Sequence, residues 1–497
     1  MGDNQVYSSE KRQILSLLFL SIYVIIGVTP LVIATFTLPR SPHSFYNEFA
    51  RSLALIAISL YIFQLIIPLR FKILDKVFGL DRLFIFHSKM GGFILLLILA
   101  HPILMSIHAE NWLLPIDPEN PWNLWIGFVA IILLLAHVLL SVFRKKINLS
   151  WETWRVIHDT LALTVLLFIL IHSWFTGSDV DNPIMQAIWI AIPVIGVPLF
   201  IWHRWFRYKN ERVFTVEDII QEAEGVHTVK MKPQANTKYD YLPGQFHFIR
   251  FFGENISDEE HHFTISSSPT QDFVSSSIKS LGDFTETIKH IKTGDKAIIN
   301  GPFGQFSYVY NNKKDIVFLA GGIGITPIMS MIRHMRDSGF KGNVTLLYSN
   351  IQEADIAFRE ELKAIEANND FLKVVFLLQK ADKDWEGEQG IIDKYVLDQY
   401  LKNDYLTKDY YICGPAPMIT SIINILKQKG VDANQLHTEI FELAADFVPE
   451  TGRYNSLNKA IYLIVSIFLV VSIFFGVLRG EEMLENPVES PEEVERH

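Results

Sequence analysis

Apolar positions gather in long unbroken runs over the first two fifths of the chain and again near its end. A run of about 20 apolar residues is long enough to cross a bilayer as an α-helix. Such runs lie at about 14–36, 51–69, 84–107, 122–143, 156–175, 185–205 and 458–478. The last run is apolar on all sides, which disfavours its alternative interpretation as a buried core helix. The pattern predicts a membrane α-helical bundle of six spans, with a seventh span towards the C-terminus.

Between the sixth and seventh runs the pattern becomes that of a soluble protein. The segments RVFTVEDII, HTVKMKP and QFHFIRFF are separated by Gly, Pro and Asn, which predicts a small β-barrel. From Asp315 onwards, DIVFLA, VTLLYSN, KVVFLLQ and DYYICG alternate with helical patterns, which predicts a Rossmann-like α/β domain with a parallel sheet. The predicted domains are a membrane domain at 1–210, a barrel at 211–310, an α/β domain at 311–447, and a span with an acidic tail at 448–497.

Two of the apolar runs each carry a pair of histidines with the same spacing. His87 and His101 lie on the third run, His158 and His172 on the fifth, and both pairs are 14 residues apart. In an α-helix this spacing rises about 21 Å and keeps both rings on one face. We expect two stacked pairs, His87 with His158 and His101 with His172, each holding a planar metallocofactor, for which haem is the best candidate. The alternative is that neighbouring helices satisfy all four rings. His137 and His203, on other runs, are interpreted as packed or interfacial.

Composition narrows the choice of cofactor. The 497 residues include one cysteine, Cys413, which excludes a disulfide framework, a four-cysteine iron–sulfur cluster and covalent haem attachment. Any haem would therefore be b-type, and Gly91 and Gly92 would leave room for the macrocycle beside His87. The net charge of −10 gives no reason to propose nucleic acid as a partner. No cleavable signal peptide is predicted, because the first apolar run is too long.

Charge in the short loops predicts the orientation. Lys and Arg lie in the loops at 70–82, 144–146 and 204–212, whereas the charged residues in the loops at 109–121 and 176–183 are all acidic. By the positive-inside rule, the N-terminus and the soluble domains are cytoplasmic. We expect an integral protein of the cell (plasma or inner) membrane, in contact with lipid. His87 and His158 would lie on the inner side, and the other pair and the acidic tail on the outer side.

Two glycine-containing turns indicate a nucleotide site. AGGIGITP, 320–327, follows a predicted strand and opens a helix, where backbone amides and the helix N-terminus favour a pyrophosphate. ICGPAPM, 412–418, ends a later strand of the same sheet. Ligands bind at the carboxyl ends of strands in such sheets, so both turns should line one crevice. The alternative is two ordinary tight turns. Cys413 lacks a recognisable base nearby and is interpreted as a nicotinamide contact, not a nucleophile.

The barrel segment carries further candidate motifs. HHFTISSSP, 261–269, combines imidazoles, an aromatic ring and hydroxyls, and LGDFT, 281–285, predicts a turn with free backbone amides. Taken singly, each motif is explained by an ordinary strand or turn. Together with GPFG, 301–304, and the two nucleotide turns, they occur in the order found in the ferredoxin–NADP reductase-like flavoproteins. Preceded by the histidine pairs, the set resembles the ferric reductase-like transmembrane proteins, a group that includes NADPH oxidases and ferric-chelate reductases, over about residues 80–445.

The resemblance implies roles for named residues. FAD would be held by His261, Phe263, Thr264, Ile265, Ser266, Gly282 and Thr285. The nucleotide pyrophosphate would lie against Gly321, Gly322, Gly324 and Thr326, and its ring beside Cys413, Gly414 and Pro415. Thr264 and Cys413 would then flank the site of hydride transfer. His262 replaces the family's proline, and Phe441 or Phe447 would stack on the flavin. Ile351 stands where a cation would meet the 2′-phosphate of NADPH, so NADH and NADPH both remain open.

The function implied is a transmembrane oxidoreductase. Electrons from cytoplasmic NADH or NADPH would pass through FAD and two b-type haems to an acceptor outside, either oxygen, giving superoxide, or a ferric chelate. An alternative is a haem-containing electron donor for a protein partner outside the membrane, with the tail at 481–497 as its docking surface. A third hypothesis, a transporter that uses buried histidines for protons, is disfavoured by the two nucleotide turns.

Overall fold

The computed structural model describes residues 7–37, 45–112, 116–206, 212–234, 238–257, 259–311, 313–402, 404–440, 449 and 451–480. The chain divides into two compact units. One comprises Met1–Arg12, Lys72–Arg82 and Tyr208–Leu457; the other comprises Gln13–Phe71, Leu83–Arg207 and Asn458–His497. The short segment Lys72–Arg82 thus belongs to the unit that holds the soluble domains.

The membrane unit is helical, as the apolar runs predicted. Its helices are α1 Ser9–Thr37, α2 Phe45–Ile66, α4 Leu80–His108, α5 Trp122–Phe143, α6 Trp151–Thr176, α7 Pro183–Ala191, α8 Val197–Phe206 and α14 Gly452–Gly480. The seven-residue α3, Lys72–Phe78, lies between α2 and α4 in the chain and belongs to the other unit. A π-helical turn, Ile192–Gly196, joins α7 to α8, and Pro193, which has no N–H to donate, lies within it. Within the described ranges, seven helical segments are long and apolar enough to cross a membrane, including α14.

The C-terminal span is an integral part of this bundle. Phe468 on α14 is buried against Gly27 of α1, where a Cβ atom would lie 2.7 Å from the Phe468 ring. Arg479 forms an ion pair with Glu48 of α2, with 2.8 Å between Nε and Oε2. The prediction of a seventh span is therefore confirmed, and the contacts show that α14 packs on α1 and α2.

The first soluble domain is an antiparallel barrel. Its strands are β1 Arg212–Ala223, β2 Val226–Pro233, β3 Phe246–Phe252, β4 His261–Thr264, β5 Val274–Lys279 and β6 Lys296–Phe303, in the order β4-β3-β6-β1-β2-β5. A bridge between Ile265 and Ser276 joins the end of β4 to β5, which brings the two edges of the sheet together. The interior is filled by apolar side chains such as Phe214, Phe251 and Ile265. A short helix, α9 Asp283–Thr287, lies between β5 and β6.

The second soluble domain is a doubly wound parallel sheet. Its elements are β7 Asp315–Gly321, α10 Ile325–Asp337, β8 Asn343–Asn350, α11 Arg359–Asn368, β9 Leu372–Leu378, β10 Glu388–Gln389, α12 Lys394–Leu401, β11 Asp409–Cys413, α13 Ala416–Gln428 and β12 Leu436–Glu439. The strand order is β10-β9-β8-β7-β11-β12, with parallel pairing throughout the described strands. The order reverses between β7 and β11, so the topological switch point lies at their carboxyl ends. The short strands β10 and β12 have no counterpart among the predicted strands.

Candidate cofactor sites

The inner histidine pair is brought together between α4 and α6. The rings of His87 and His158 have their centroids 6.2 Å apart and are tilted by 59°. The Nδ1 atom of His87 is buried and has no hydrogen-bond partner among the described residues. Two imidazoles that face each other across a helix pair form the type of donor set that can hold a haem by both axial positions.

In the outer pair, a backbone carbonyl fixes the tautomer of each ring. Nδ1 of His101 is 3.0 Å from the carbonyl oxygen of Ala50, and Nδ1 of His172 is 2.8 Å from that of Asn123. A carbonyl only accepts, so Nδ1 must carry the proton in both rings. Nε2 of each neutral ring is then unprotonated and available to a metal; histidines that bind metals usually donate the other ring N–H to a carbonyl or carboxylate in this way. Both rings therefore fit axial ligation of a b-type haem.

Glycines provide space next to these rings. A Cβ atom at Gly127 on α5 would lie 2.6 Å from the His172 ring. The ring therefore fits only because residue 127 has no side chain. At Gly91 and Gly92 on α4, a Cβ atom would meet no described atom within 4 Å. The open space at these two positions is compatible with the room that a macrocycle beside His87 requires.

His137 is packed, as expected, but its partner is one of the predicted ligands. Its Nε2 lies 2.7 Å from Nδ1 of His158. The sequence contains a signal for this contact, but the prediction from the spacing of the histidine pairs did not use it. His137 and His158 lie almost equally far from the middle of the loop between α5 and α6, and antiparallel helices joined by a short loop face each other at such positions.

The two predicted flavin motifs meet at the barrel. The His261 ring stacks on Phe284 of α9 with a centroid separation of 3.9 Å, and Phe263 lies 6.2 Å from the same ring. His261 also contacts Glu259, with 2.9 Å between Nε2 and Oε2. The segments HHFT and LGDFT, which residues 265–280 separate in the sequence, thus form one aromatic cluster at the end of β4.

The next three positions of the motif are buried, and Ile265 belongs to the apolar core of the barrel. Thr264, Ile265 and Ser266 are buried, and the Ser266 hydroxyl lies 3.0 Å from Ser275 Oγ. The backbone carbonyl of Ser266 accepts a hydrogen bond of 2.7 Å from Arg333 on α10. This internal network holds the segment after Thr264 rigidly, so the groups available to a ligand here are mainly backbone groups and the exposed parts of the preceding residues.

One expectation about the LGDFT turn was wrong. The backbone amides of Leu281 and Gly282 are not free, because both donate to Thr285 Oγ1, at 2.8 and 3.0 Å. The amide of Phe284 donates to Asp283 Oδ1 at 2.9 Å. A five-residue helix with an internally bonded first turn offers few donors to a phosphate. Gly282 and Thr285 shape the turn and keep the neighbouring Phe284 against His261.

The two nucleotide turns lie side by side at the switch point. Cys413 at the end of β11 is in register with Ala320 on β7. Gly321 ends β7, Gly322–Gly324 form a 3₁₀ turn, and α10 starts at the next residue. On the other strand, Gly414 follows β11 and Pro415 is the N-cap of α13. The sequence prediction that both turns line one crevice is consistent with this register.

Glycine is required in these turns mainly for close packing. A Cβ atom on Gly324 would lie 2.3 Å from the Cys413 carbonyl oxygen, and one on Gly321 would lie 2.6 Å from Met418 Sδ. Gly322 differs, because it has φ +53° and open space where a side chain would be. Backbone at this position can therefore approach a bound phosphate closely.

Polar groups inside the turns are already satisfied. Thr326 is buried in the first turn of α10, where its hydroxyl donates to the Ile323 carbonyl at 3.1 Å. Cys413 is completely buried, and burial raises the pKa of its thiol well above the ordinary value. The thiol packs into the apolar core of the α/β domain, and the interpretation of Cys413 as a nicotinamide contact stays a prediction. Phe441 and Phe447, the candidate stacking aromatics, lie outside the described residues.

Comparison with known proteins gives three matching families. The family model described as "Ferric reductase like transmembrane component" matches residues 53–169, an FAD-binding domain matches 213–319, and an oxidoreductase NAD-binding domain matches 318–423. Together these ranges cover the predicted histidine pairs except His172, and both groups of nucleotide motifs. α14 lies beyond all three ranges.

Curated relatives match only part of their length. NADH-cytochrome b5 reductase 1 of Candida glabrata is 34% identical over 144 residues, which is 28% of this chain and 50% of that protein. The reductase component of propane 2-monooxygenase of Mycolicibacterium goodii is 26% identical over 223 residues, 43% of this chain and 63% of that protein. The chain thus spans between half and two thirds of the length of these curated relatives.

Solved structures resemble a similar share of the chain. The ferredoxin reductase in carbazole 1,9a-dioxygenase has a TM-score of 0.42 and 24% identity, and the match covers 47% of this chain and 69% of that one. The FAD/NAD-binding domain of nitric oxide dioxygenase from Vibrio cholerae has a TM-score of 0.42 and 22% identity, with 46% and 97% covered.

Proposed function

We propose that this chain is a member of the ferric reductase-like transmembrane proteins with FAD- and NAD-binding domains, and that it carries electrons from NAD(P)H to an acceptor across a cell membrane. The path would use FAD and two b-type haems. The cytoplasmic side would hold the soluble domains, and the acceptor would be oxygen or a ferric chelate outside.

The hydrogen bonds of the outer histidine pair carry this proposal. His101 and His172 both have Nδ1 fixed by a backbone carbonyl, which leaves Nε2 for a metal. Imidazole inside a membrane is expensive to bury and marks function by default. Four histidines at matching depths on α4 and α6 support two haems, with His87 and His158 as the ligands of the inner one.

The soluble domains would bind the two nucleotides. Gly321, Gly322, Gly324 and Thr326 would form the pyrophosphate turn, Cys413, Gly414 and Pro415 would border the nicotinamide, and His261, Phe263, Thr264, Ile265, Ser266, Gly282 and Thr285 would form the flavin site. When bound, FAD exchanges a hydride for single electrons and each haem carries one electron. The Cys413 side chain has no exposed surface, so this position would border the nicotinamide through its backbone.

The direction follows from charge. Lys and Arg in the loops at 70–82 and 144–146 favour an inner position for the nucleotide side. Moving an electron outward across a membrane with an inside-negative potential of 100 mV is favourable by about 2.3 kcal/mol. His101 and His172 would then be the last groups of the protein before the acceptor.

The test replaces one outer ligand. His101→Leu should remove the outer haem, whereas NAD(P)H should still reduce the flavin and the inner haem. Reduction of a membrane-impermeant acceptor by sealed vesicles of known orientation should collapse. The matched control is His203→Leu on α8, a span histidine that contacts Phe71, with 4.8 Å between the ring centroids.

A pyridine haemochrome assay accompanies the vesicle measurement. Two haems per chain in the parent and one in the His101 variant are expected. If the His101 variant reduces the external acceptor at the parental rate, or if the parent holds fewer than two haems, the proposed path is wrong.

A further inference from the structure

His137 lies beside the inner haem site without belonging to the predicted ligands. It is on α5, is 9% exposed, and its ring centroid is 4.2 Å from that of His158. The 2.7 Å separation between His137 Nε2 and His158 Nδ1 is that of a hydrogen bond, so one of the two rings must supply the proton.

Ser141 narrows the choice of donor. Its hydroxyl donates to the backbone carbonyl of His137 at 2.9 Å and also lies 3.2 Å from Nδ1 of His158. A serine has one proton, which the carbonyl takes here, so its oxygen faces His158 as an acceptor. Both neighbours of His158 Nδ1 can then accept a proton that this nitrogen carries.

Metal ligation requires the same arrangement. A neutral imidazole that binds a metal through Nε2 has its proton on Nδ1. If His137 donated instead, the proton of His158 would sit on Nε2 and block ligation. We propose that His137 is a positioning residue: its Nε2 accepts the Nδ1–H of His158 and holds that ring with Nε2 directed to the inner haem. This role rests on the proposed haem-binding function.

The four predicted ligands differ in this respect. His101 and His172 donate to backbone carbonyls, whereas His158 donates to another imidazole and His87 Nδ1 has no partner among the described residues. Outer-shell acceptors fix ring orientation and raise ligand basicity. His137 therefore makes His158 the more electron-rich ligand of the inner haem, which favours the ferric state.

A second contact keeps the His158 ring in place. The Trp154 ring lies 4.8 Å from it, tilted by 37°. Trp154 can restrict the ring sterically but does not offer an acceptor, since indole nitrogen only donates. His137 and Ser141 both offer an acceptor to Nδ1 of His158, and both lie on α5.

The experiment compares His137→Leu, which removes the acceptor, with His137→Gln, whose side-chain oxygen can still accept. Ser141→Ala removes the competing acceptor, and His203→Leu is the matched control. Each full-length variant is assayed for haem per chain, for the electron paramagnetic resonance of the ferric haems and for both midpoint potentials. In His137→Leu we expect a tenfold shift of the inner haem towards the reduced state, about 59 mV for one electron. The midpoint potential of the outer haem should be unchanged. In the Gln variant the midpoint potential of the inner haem should lie close to the parental value.

Loss of the inner haem in the Leu variant and its retention in the Gln variant would also support the positioning role. Parental spectra and potentials in His137→Leu would overturn it. Loss of the inner haem in both the Leu and Gln variants would overturn it too, because His137 would then act as a ligand or through packing. A full shift in Ser141→Ala alone would assign the role to the hydroxyl instead. Failure of the haem proposal itself is a separate result, since the parent would then lack two haems.

Discussion

The absence of one side chain at Gly127 decides whether the His172 ring has room. A Cβ atom there would overlap the ring at 2.6 Å, whereas a Cβ atom at Gly196 would meet no described atom within 4 Å. Real Cβ contacts are not that short, so an alanine at position 127 must push the imidazole away. Two glycines in apolar helices thus have different consequences, and sequence alone does not distinguish them.

Gly127→Ala should therefore displace His172 and remove the outer haem, while Gly196→Ala, in the turn between α7 and α8, should leave the haem content unchanged. Loss of the correct ligand orientation typically costs about 10–100-fold in metal affinity. Haem per chain, measured as the pyridine haemochrome, should fall from two towards one in the first variant only. Equal haem content in both variants would contradict the close contact of α5 with His172.

Ile351 bears on the choice between NADH and NADPH. It follows β8 directly and is 49% exposed, without a charge for a 2′-phosphate. The nearest arginine along the chain, Arg359, forms an ion pair with Glu353. Lys380 contacts Ile351 through its backbone, since the Lys380 N–H donates to the Ile351 carbonyl at 2.8 Å.

We expect weak discrimination between the nucleotides, because a bidentate arginine is among the stronger polar contacts for a phosphate. Ile351→Arg should raise the kcat/KM ratio of NADPH to NADH, and Lys380→Ala should leave it nearly unchanged. A hundredfold preference of the parent for NADPH, about 2.7 kcal/mol, would show that another cation binds the phosphate. If Lys380→Ala abolished such a preference, that cation would be Lys380.

At the scale of elements, α14 is joined to the bundle by a buried ion pair. Glu48 on α2 is 5% exposed and contacts both Arg51, at 2.9 Å, and Arg479, at 2.8 Å. Arg479 also donates to the Ala34 carbonyl on α1 at 3.2 Å. One carboxylate thus serves two cations, and three helices meet at it. Removing one partner of a buried pair leaves an uncompensated charge, which costs about 3–5 kcal/mol.

Glu48→Leu should therefore be more destabilising than Arg479→Leu. The first variant leaves two arginines facing each other, whereas the second leaves Glu48 paired with Arg51. The lipid-exposed change Leu463→Ala, on the same span, is the control and should cost little. Thermal unfolding in detergent, followed by tryptophan fluorescence, should give this order. An equal or reversed order would mean that α14 is not held by the ion pair.

At the scale of the whole molecule, Gln305 joins three segments that are distant in sequence. Its side-chain amide donates to the carbonyls of Asp75 and Lys76, at 2.6 and 3.0 Å. Its oxygen accepts from Arg82 at 3.1 Å and from Arg453 at 2.7 Å. All four hydrogen-bonding positions of this buried amide are used. The loop after β6, the segment around α3 and the first turn of α14 therefore form one polar cluster.

Asp75 makes this cluster sensitive to pH. Its Oδ1 accepts from the amides of Leu80 and Gly304. Burial raises the pKa of Asp75 from 3.8 to about 7, with a smaller contribution from nearby Asp81, while Arg453 opposes the shift. The folded state therefore keeps the proton that the unfolded chain releases at lower pH. Proton binding by Asp75 therefore contributes to the free energy of unfolding at most about 4 kcal/mol. This contribution is fully present below about pH 4 and is lost as the pH rises through about 7.

Asp75→Asn should remove this loss, because the amide oxygen can still accept both backbone bonds and carries no charge. Its melting temperature should exceed that of the parent at pH 8, and the difference should shrink towards pH 5. The control is Asp370→Asn, a carboxylate after α11. A difference that is independent of pH, or one that grows at low pH, would show that Asp75 is not protonated in the folded protein.

The sequence by itself determined the features that repeat locally. Apolar runs predicted the spans, including α14, and the equal spacing of the histidines predicted that His87 and His158 would meet. Gly-rich turns after short β-branched strands predicted the parallel sheet and the adjacent turns at Gly321 and Gly414. Each of these features has a period or a fixed order along the chain, because backbone geometry imposes it.

The tertiary structure alone decided the contacts between distant segments. The acceptor for His158, the space for His172 and the partner of Glu48 depend on how helices rotate against each other, and no local pattern records that rotation. The same is true of Thr285, which took the amides of Leu281 and Gly282 that the turn pattern left free, and of the short strands β10 and β12, which exist through pairing with neighbours. Side chains select their partners from whatever packing brings within reach, and this choice is made only after the chain has folded.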